Sequence, residues 1–597
     1  MSAPRLLAIS ALWVMLTPMG GAHAKPIPVE LRRVEGSWTL LRDGEPFQIK
    51  GAGGQASFQL LASAGGNATR TWGAEGIEEL LDEAHAQGLG VVVGIWLGHQ
   101  RHGFDYSDVD QVAEQYARAE RLIKQHKDHP AVLLWGIGNE MEGFGEGKDA
   151  AVWSAVNNVA ALAKRLDPHH PTMTVTAEIG GDRIKAIHSL CPDVDIVGVN
   201  TYGGVTSLPK RYRAAGGTKP YIVTETGPPG AWEVGKTGWG APLEPNSTEK
   251  ASFYRRAYEA IAKDDTLALG SFMFLWGHKR EATATWYGML LPGGQRTEAV
   301  DVMAKAWSGK ALPNQAPRIM QLINKTDSVL PPGGIFEARV VVEDPNRDPV
   351  TFEWRLEPEE KEHMTGGDLQ PEPEPLTKAI LQNGGPSVRV RMPDRPGQFR
   401  LYAFVYDSAG GAAVANVPLK VLDGVNVVSG PPLQLPVVVA GEGTDTAPWV
   451  SSGWMGETEA INMDPQACPE PHGGQTCLRI RYERGDSWGG VAWQHPIEDW
   501  GDKAGGFDLS GSKTLSFWAR GKRGGEKVKF GFGLLGQDKT HYDSARDEME
   551  VRLTSRWKRY RFDLQGKDLR RIKTPFFWSA AGQTRPLEFY VDDVRYE

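Results

Sequence analysis

Residues 131–140 read Ala131-Val132-Leu133-Leu134-Trp135-Gly136-Ile137-Gly138-Asn139-Glu140. A run of apolar and small residues ends abruptly on an amide and a carboxylate. Near-continuous apolar character suits a parallel strand buried on both faces. A carboxylate is costly to bury unless it is paired or hydrogen-bonded, so Glu140 at such a strand end asks for a partner or a task. Seven further runs of this kind lie at 47–51, 67–72, 90–97, 172–178, 194–200, 220–225 and 268–276. Amphipathic helical patterns fall between them. Ile77, Leu80, Leu81 and Ala84 recur at i, i+3, i+4, i+7, with Gly88 as a C′ stop. Val112, Tyr116, Ala119 and Ile123 form a second stripe, and 150–166 a third. Eight strand–helix units within residues 36–310 match the usual length of a (β/α)8 barrel, about 250 residues. An open doubly wound sheet is the rival, weakened because no Gly-x-Gly-x-x-Gly follows the first run.

Near Lys310 the pattern changes. Residues 311–317 form a Pro-containing linker, and from 318 to about 422 the helical period vanishes. Runs at 335–342, 350–356, 388–392, 398–407 and 413–421 read as strands of an immunoglobulin-like sandwich, with 371–375 as a surface loop. A second linker, 423–436, leads to strand patterns at 477–482, 490–494, 513–519, 527–534, 548–553, 558–564 and 587–596, which suit a jelly roll. The expected fold class is α/β, a (β/α)8 TIM barrel followed by two all-β sandwich domains. The expected division is a signal peptide at 1–24, the barrel at 25–310, the immunoglobulin-like sandwich at 311–424 and the jelly roll at 437–597. A chain ending near Lys310 is expected to fold alone, since the barrel has its own core.

Composition agrees with a folded, exported chain. Hydrophobic residues are 40% and charged residues 23%, which excludes a disordered chain or a multi-span membrane protein. A net charge of −8 without a basic run gives a nucleic-acid reading little support. Arg5, the apolar stretch 6–15 and Ala22-His23-Ala24 form the three parts of a signal peptide, so the mature chain is expected to begin at Lys25 and to be secreted or periplasmic. The apolar stretch is too short for a membrane span, which takes about 20 residues. In an oxidising compartment Cys468 and Cys477 are placed to close a small disulfide loop, while Cys191 reads as a buried small hydrophobe.

In a (β/α)8 barrel the C-terminal strand ends face the active site. Strand two ends at Arg70 and Trp72, strand four at Asn139-Glu140, strand five at Glu178, strand six at Asn200-Thr201-Tyr202, strand seven at Glu225 and strand eight at Trp276. Two carboxylates, Glu140 and Glu225, thus face one cavity. Glycosidic cleavage needs such a pair, one protonated to donate to the leaving oxygen and the other ionised to attack carbon or activate water. Arg70 and Tyr202 can hold one carboxylate ionised, Asn139 can bind a sugar hydroxyl, and Trp276 can offer an apolar face. Trp232 and Trp239 lie in a long Gly/Pro-rich segment after strand seven and read as a cleft wall. Glu178 and Glu142 read as loop acids, and His99 and His102 as cleft-lining at most.

This constellation resembles clan A of the glycoside hydrolases, which includes families 2 and 5. The run Lys127-Asp128-His129-Pro130-Ala131-Val132, followed by Trp135 to Glu140, is especially similar to family 2. The resemblance implies a retaining mechanism on a β-linked poly- or oligosaccharide, with Glu140 as acid/base and Glu225 as nucleophile, and no cofactor for catalysis. Typical family 2 enzymes place sandwich domains before the barrel; here they follow it. The C-terminal stretch Phe589-Tyr590-Val591-Asp592-Asp593-Val594 resembles the last strand of carbohydrate-binding jelly rolls, some of which hold a structural calcium; no metal is assigned here. A transglycosylase using the same pair, and a non-catalytic glycan-binding barrel, are the alternative functions.

Overall fold

The computed structural model describes residues 25–597 apart from 143–144, 361–369, 423–429, 443–446, 486, 537–538, 566 and 584. The signal peptide read at 1–24, and half of the linker read at 423–436, lie outside the described residues.

After a short meander of β1 (Val29–Val34), β2 (Ser37–Arg42) and β3 (Glu45–Pro46), eight parallel strands close into a barrel. These are β4 (Ile49–Gly53), β5 (Ala68–Arg70), β6 (Gly90–Ile95), β7 (Val132–Asn139), β8 (Thr172–Ala177), β9 (Ile196–Asn200), β10 (Tyr221–Thr226) and β11 (Ala268–Phe274). Each coincides with one of the eight apolar runs. Every described residue of β6, β9 and β10 is buried, as strands covered on both faces require. A short helix, α1 (Phe58–Ser63), follows β4, and longer helices form where the 3.6-residue period lies. Leu81 and Ala84 face inward from α2 (Glu78–Ala86), and Gly88 follows in the left-handed region at φ 73°. The α3 (Val109–His126) and α4 (Ala150–Leu166) helices start on Asp108 and Asp149, whose carboxylates cap the first turns.

Inside the barrel Val92, Leu134, Met173, Val175, Ile222 and Phe272 pack with Ile49 and Ala68. The meander seals the N-terminal mouth. Val29 and Leu40 join this cluster, Val29 N–H donates to His169 O (2.8 Å) and Trp38 N–H to Thr266 O (2.9 Å). The C-terminal mouth is left for chemistry.

The remaining sheets are antiparallel. Strands β12 (His278–Glu281) and β13 (Thr283–Gly288) form a hairpin. A four-stranded sheet, β14 (Arg318–Asn324), β16 (Ile335–Glu343), β19 (Ser387–Arg391) and β18 (Ile380–Gln382), faces a second one of β15 (Val329–Leu330), β21 (Ala412–Val421), β20 (Gly397–Tyr406) and β17 (Thr351–Pro358). Phe336, Trp354, Val388, Leu401 and Val405 fill the core between them. The final sandwich pairs a sheet of β24 (Ile461–Asp464), β25 (Leu478–Tyr482), β32 (Leu587–Tyr596), β27 (Thr514–Gly521) and β30 (Lys558–Asp563), with β22 (Val437–Ala440) also on β32, against β23 (Val450–Gly456), β26 (Trp488–Gln494), β31 (Phe576–Ala581), β28 (Lys527–Phe532) and β29 (Asp547–Arg552). Phe517, Phe530 and Phe576 interlock at ring separations of 4.8–5.9 Å within its core. Cys468 and Cys477 are disulfide-bonded with Cα atoms 5.2 Å apart, and Cys191 is buried with its thiol pushed up to about 12 by desolvation.

The chain parts into two compact units, with one boundary between Lys310 and Ala311 and others after Gly227, Phe253, Gly277 and Val302. One holds the residues up to Gly227 with Tyr254–Gly277 and Met303–Lys310; the other holds Pro228–Phe253, His278–Val302 and Ala311–Glu597. The segments that follow β10 and β11 therefore group with the sandwiches.

Candidate active site

The C-terminal ends of β5, β7, β9 and β10 bring six polar groups into one hydrogen-bonded chain. Arg70, only 2% exposed, donates from Nη1 to Glu225 Oε1 (3.0 Å) and Thr224 O (3.1 Å), and from Nη2 to Asn139 Oδ1 (2.6 Å). Asn200 Nδ2 donates to Asn139 Oδ1 (3.2 Å) and Glu140 Oε1 (2.7 Å), and Asn200 Oδ1 accepts from Thr224 Oγ1 (2.7 Å). Glu225 is thus linked to Glu140 through Arg70, Asn139 and Asn200.

The two carboxylates sit in opposite environments. Glu225 receives three side-chain donors: Arg70, Trp72 Nε1 to Oε1 (2.8 Å) and Tyr202 Oη to Oε2 (3.0 Å). Hydrogen bonds to a carboxylate are charge-assisted and about twice as strong as neutral ones. The Arg70–Glu225 pair is nearly dry, with side chains 3% and 9% exposed. Glu140 accepts from Asn200 alone among its described hydrogen bonds. Burial, then the negative charge of Glu225, pushes its pKa up to about 7. Glu140 also stands in the left-handed region at φ 54°, just after Gly138 at φ 68°. For a glutamate this backbone is uncommon and costs about 1–3 kcal/mol, a strain found typically at functional sites.

Neighbouring groups fix the frame. Glu142, two residues on, accepts from Thr176 Oγ1 (2.8 Å) and Ala177 N (2.6 Å), which ties the β7 loop to the end of β8. Its burial raises its pKa. Glu178 is engaged elsewhere, with Arg211 (2.6 Å) and Thr201. Burial acts to raise the Glu178 pKa, but these donors outweigh it and the group lies below its usual value. Phe274 packs edge-on to Trp72 (5.9 Å) and Tyr202 (6.1 Å), holding both rings beside Glu225.

Of the residues read from the sequence, Arg70, Trp72, Asn139, Glu140, Tyr202 and Glu225 are brought together. Trp276 is not laid open as a sugar platform. It is 1% exposed and its indole N–H donates to Ser57 O (3.1 Å), so its apolar face is spent on packing. Trp239 is half-buried against Val329, Tyr542 and Leu422 of the sandwich unit, where burying an indole is worth more than exposing it to a cleft. Trp232 is 56% exposed. His99 is buried and stacks on Trp96 at 4.9 Å. Asn200 and Thr224 also carry the network; the sequence marks them only by their place at the ends of apolar runs and assigns them no role. Among the described residues, one carboxylate group is close enough to share a cation: Asp344, Asp348 and Asp407 of the middle sandwich, away from the C-terminal jelly roll.

Residues 75–236 match the family described as glycosyl hydrolases family 2, TIM barrel domain. A β-glucuronidase of Paenibacillus borealis is 29% identical over 195 residues, 28% of this chain and 31% of that protein. A mannan endo-1,4-β-mannosidase F of Aspergillus clavatus is 25% identical over 146 residues, 21% of this chain and 32% of the relative. Among solved structures, a Bifidobacterium dentium β-glucuronidase aligns with a TM-score of 0.38 and 18% identity, over 49% of this chain and 52% of that one. The chain spans about a third of the length of the P. borealis and A. clavatus relatives. Residues 75–236, within the eight-stranded barrel, are thus similar to the TIM barrel domain of glycosyl hydrolases family 2.

Proposed function

We propose that the chain is a retaining β-glycoside hydrolase, with Glu225 as nucleophile and Glu140 as acid and then base. The carrying observation is the contrast between the linked carboxylates, one clasped by three donors and the other buried with its pKa raised to about 7. In the first step Glu225 attacks the anomeric carbon while Glu140 gives its proton to the departing oxygen. Esterification removes the charge of Glu225, which is the second largest cause of the raised Glu140 pKa. The Glu140 pKa then falls, and the resulting carboxylate can take a proton from the attacking water. One residue serves both half-reactions because the other changes charge between them. Asn139, held by Arg70 and Asn200, is placed to bind the hydroxyl next to the reacting carbon.

The relatives' names suggest β-glucuronides and β-mannosides as first substrates. The signal-peptide pattern and the Cys468–Cys477 pair support an exported enzyme. Trp454 (41% exposed) and Trp488 (50% exposed), on adjacent strands of the last sandwich, support glycan anchoring there.

Azide tests the roles. With an activated aryl β-glycoside, Glu140→Ala should form the glycosyl-enzyme and stall, and azide should release a glycosyl azide of retained configuration. In Glu225→Ala, azide should enter the vacated face and give the inverted product. Swapped stereochemistry would exchange the roles, and undiminished activity in both variants would remove the pair from catalysis.

A further inference from the structure

Glu142 is a buried acid that double displacement does not use. Its side chain is fully buried, and burying a carboxylate is costly unless hydrogen bonds or an opposite charge answer it. The answers come from the end of β8 and the stretch just after it. Glu142 Oε1 accepts from Thr176 Oγ1 (2.8 Å) and Ala177 N (2.6 Å), and lies 3.6 Å from Arg183 Nε.

Arg183 opens α5 (Arg183–Leu190). Its guanidinium also reaches the backbone on both sides of the acid: Nη1 donates to Ala177 O and Nη2 to Gly145 O (3.0 Å). The chain beyond Glu142 docks on the same place. Asp182 N–H donates to Glu146 O (2.8 Å). Gly147, at φ 79°, comes so close that a Cβ there would stand 2.8 Å from Arg183 Cα.

These contacts frame a distorted strand end. The pairing of β7 with β8 slips between Gly136 and Asn139. Gly138 and Glu140 on one side, and Glu178 on the other, are left-handed. A strained residue persists only where its surroundings over-determine it. Glu140 N–H donates to Val175 O (2.9 Å), which ties the chain before the strained residue to β8. The Glu142 carboxyl supplies the tie after it, to Thr176 and Ala177 of the same strand. Held at both ends, the turn delivers the Glu140 carboxyl to Asn200 Nδ2 (2.7 Å).

We propose that Glu142 and Arg183 are positioning residues, a clamp that holds the acid Glu140 in its left-handed conformation and so in the place from which it protonates the leaving oxygen. The proposal rests on the glycosidase reading and deepens it, since the pair acts through Glu140. Its consequence is selective. A displaced acid slows the reaction only where the leaving group needs a proton; an activated leaving group departs without one.

The test measures kcat/KM, which reports the glycosylation step, with dinitrophenyl and unsubstituted phenyl β-glucuronides or β-mannosides, whichever sugar the wild type turns over. Glu142→Ala should stay within about 2-fold of the wild type on the dinitrophenyl substrate and fall about 10²-fold on the phenyl one. Glu142→Gln keeps an oxygen for Thr176 and Ala177 and should recover most of that loss. Arg183→Met should shift the ratio of the two substrates in the same direction, which provides the reading if Glu142→Ala does not fold. Leu81→Ala, in α2 at 0% exposure, weakens the barrel elsewhere and should leave the ratio unchanged. Hydrogen exchange reads the clamp without turnover: the Glu140 and Ala177 amides should exchange faster in Glu142→Ala than in the wild type. Equal losses on both substrates in Glu142→Ala, wild-type ratios in both clamp variants, or the same shift in Leu81→Ala would overturn the proposal. A wild-type chain without glycosidase activity would sink the functional reading, while unchanged exchange in Glu142→Ala would sink the clamp.

Discussion

Replacing Glu140 by glutamine should stabilise the barrel, and only above acid pH. The ordinary value for this carboxyl is 4.5, and in the folded barrel it is pushed up to about 7. Between those values the native state holds a proton that the unfolded chain releases, so stability falls as pH rises. At about 1.4 kcal/mol per pH unit the loss reaches about 3 kcal/mol near pH 7 and then levels off. Below 4.5 both states are protonated and the penalty is gone. Glutamine imitates the protonated acid at every pH, and its carbonyl can still accept from Asn200. The variant should therefore match the wild type near pH 4 and exceed it by about 3 kcal/mol at pH 8. Several domains make a whole-chain melt a poor two-state measurement. Native-state hydrogen exchange of the β7 and β9 amides, followed across this pH range, reads the barrel itself. A difference that is flat with pH would show that burial does not perturb Glu140. A variant less stable than the wild type at pH 8 and equal to it near pH 4 would mean Glu140 is the stabilised anion, and the roles of the two carboxylates would have to be exchanged.

Other perturbations test neighbouring links. Asn200→Ala removes the hydrogen bond that lowers the Glu140 pKa, so the alkaline limb of the kcat/KM profile should move to higher pH; an unmoved limb would disconnect Asn200 from the acid. Arg70→Met strips Glu225 and Asn139 of their shared donor, and kcat/KM should fall about 10²–10³-fold, a loss that a steady-state assay with a soluble aryl glycoside reads directly. Replacing Cys468 and Cys477 by serine opens a nine-residue separation and should cost the last sandwich about 2.5 kcal/mol in denaturant melts, with turnover of small soluble substrates unchanged.

Glu140 and Glu225 are not two independent acids, since the charge of one raises the pKa of the other. The raised pKa of Glu140 depends in part on the charge of Glu225, and in the proposed double displacement that charge disappears when the covalent intermediate forms. The strain at Glu140, in the left-handed region at φ 54°, is held by the neighbouring anchor of Glu142 on Thr176 and Ala177.

The barrel was legible in the sequence because its parallel strands are buried on both faces. Burial on both faces leaves a continuous apolar run, and the residue where the run stops marks the C-terminal mouth. That rule alone located Arg70, Asn139, Glu140, Tyr202 and Glu225, since a charge or amide at the end of a dry strand must answer to something in space. It could not say which residue answers to which. The bridging place of Asn200 between Asn139 and Glu140, the donors converging on Glu225 and the resulting split in environment exist only once eight strands are closed in a ring. Aromatic side chains were the least legible, because an indole suits a sugar face and a packed core equally well in composition. Trp276 went to the core, with its N–H on Ser57, and Trp239 went to the sandwich beside Val329 and Tyr542. Local periodicity carries no information about such partners, which lie far away in the sequence. For the same reason the linker at 311–317 is legible as a boundary, while nothing local says that the segments after β10 and β11 group with the sandwiches through Glu244, Asn416 and Arg400.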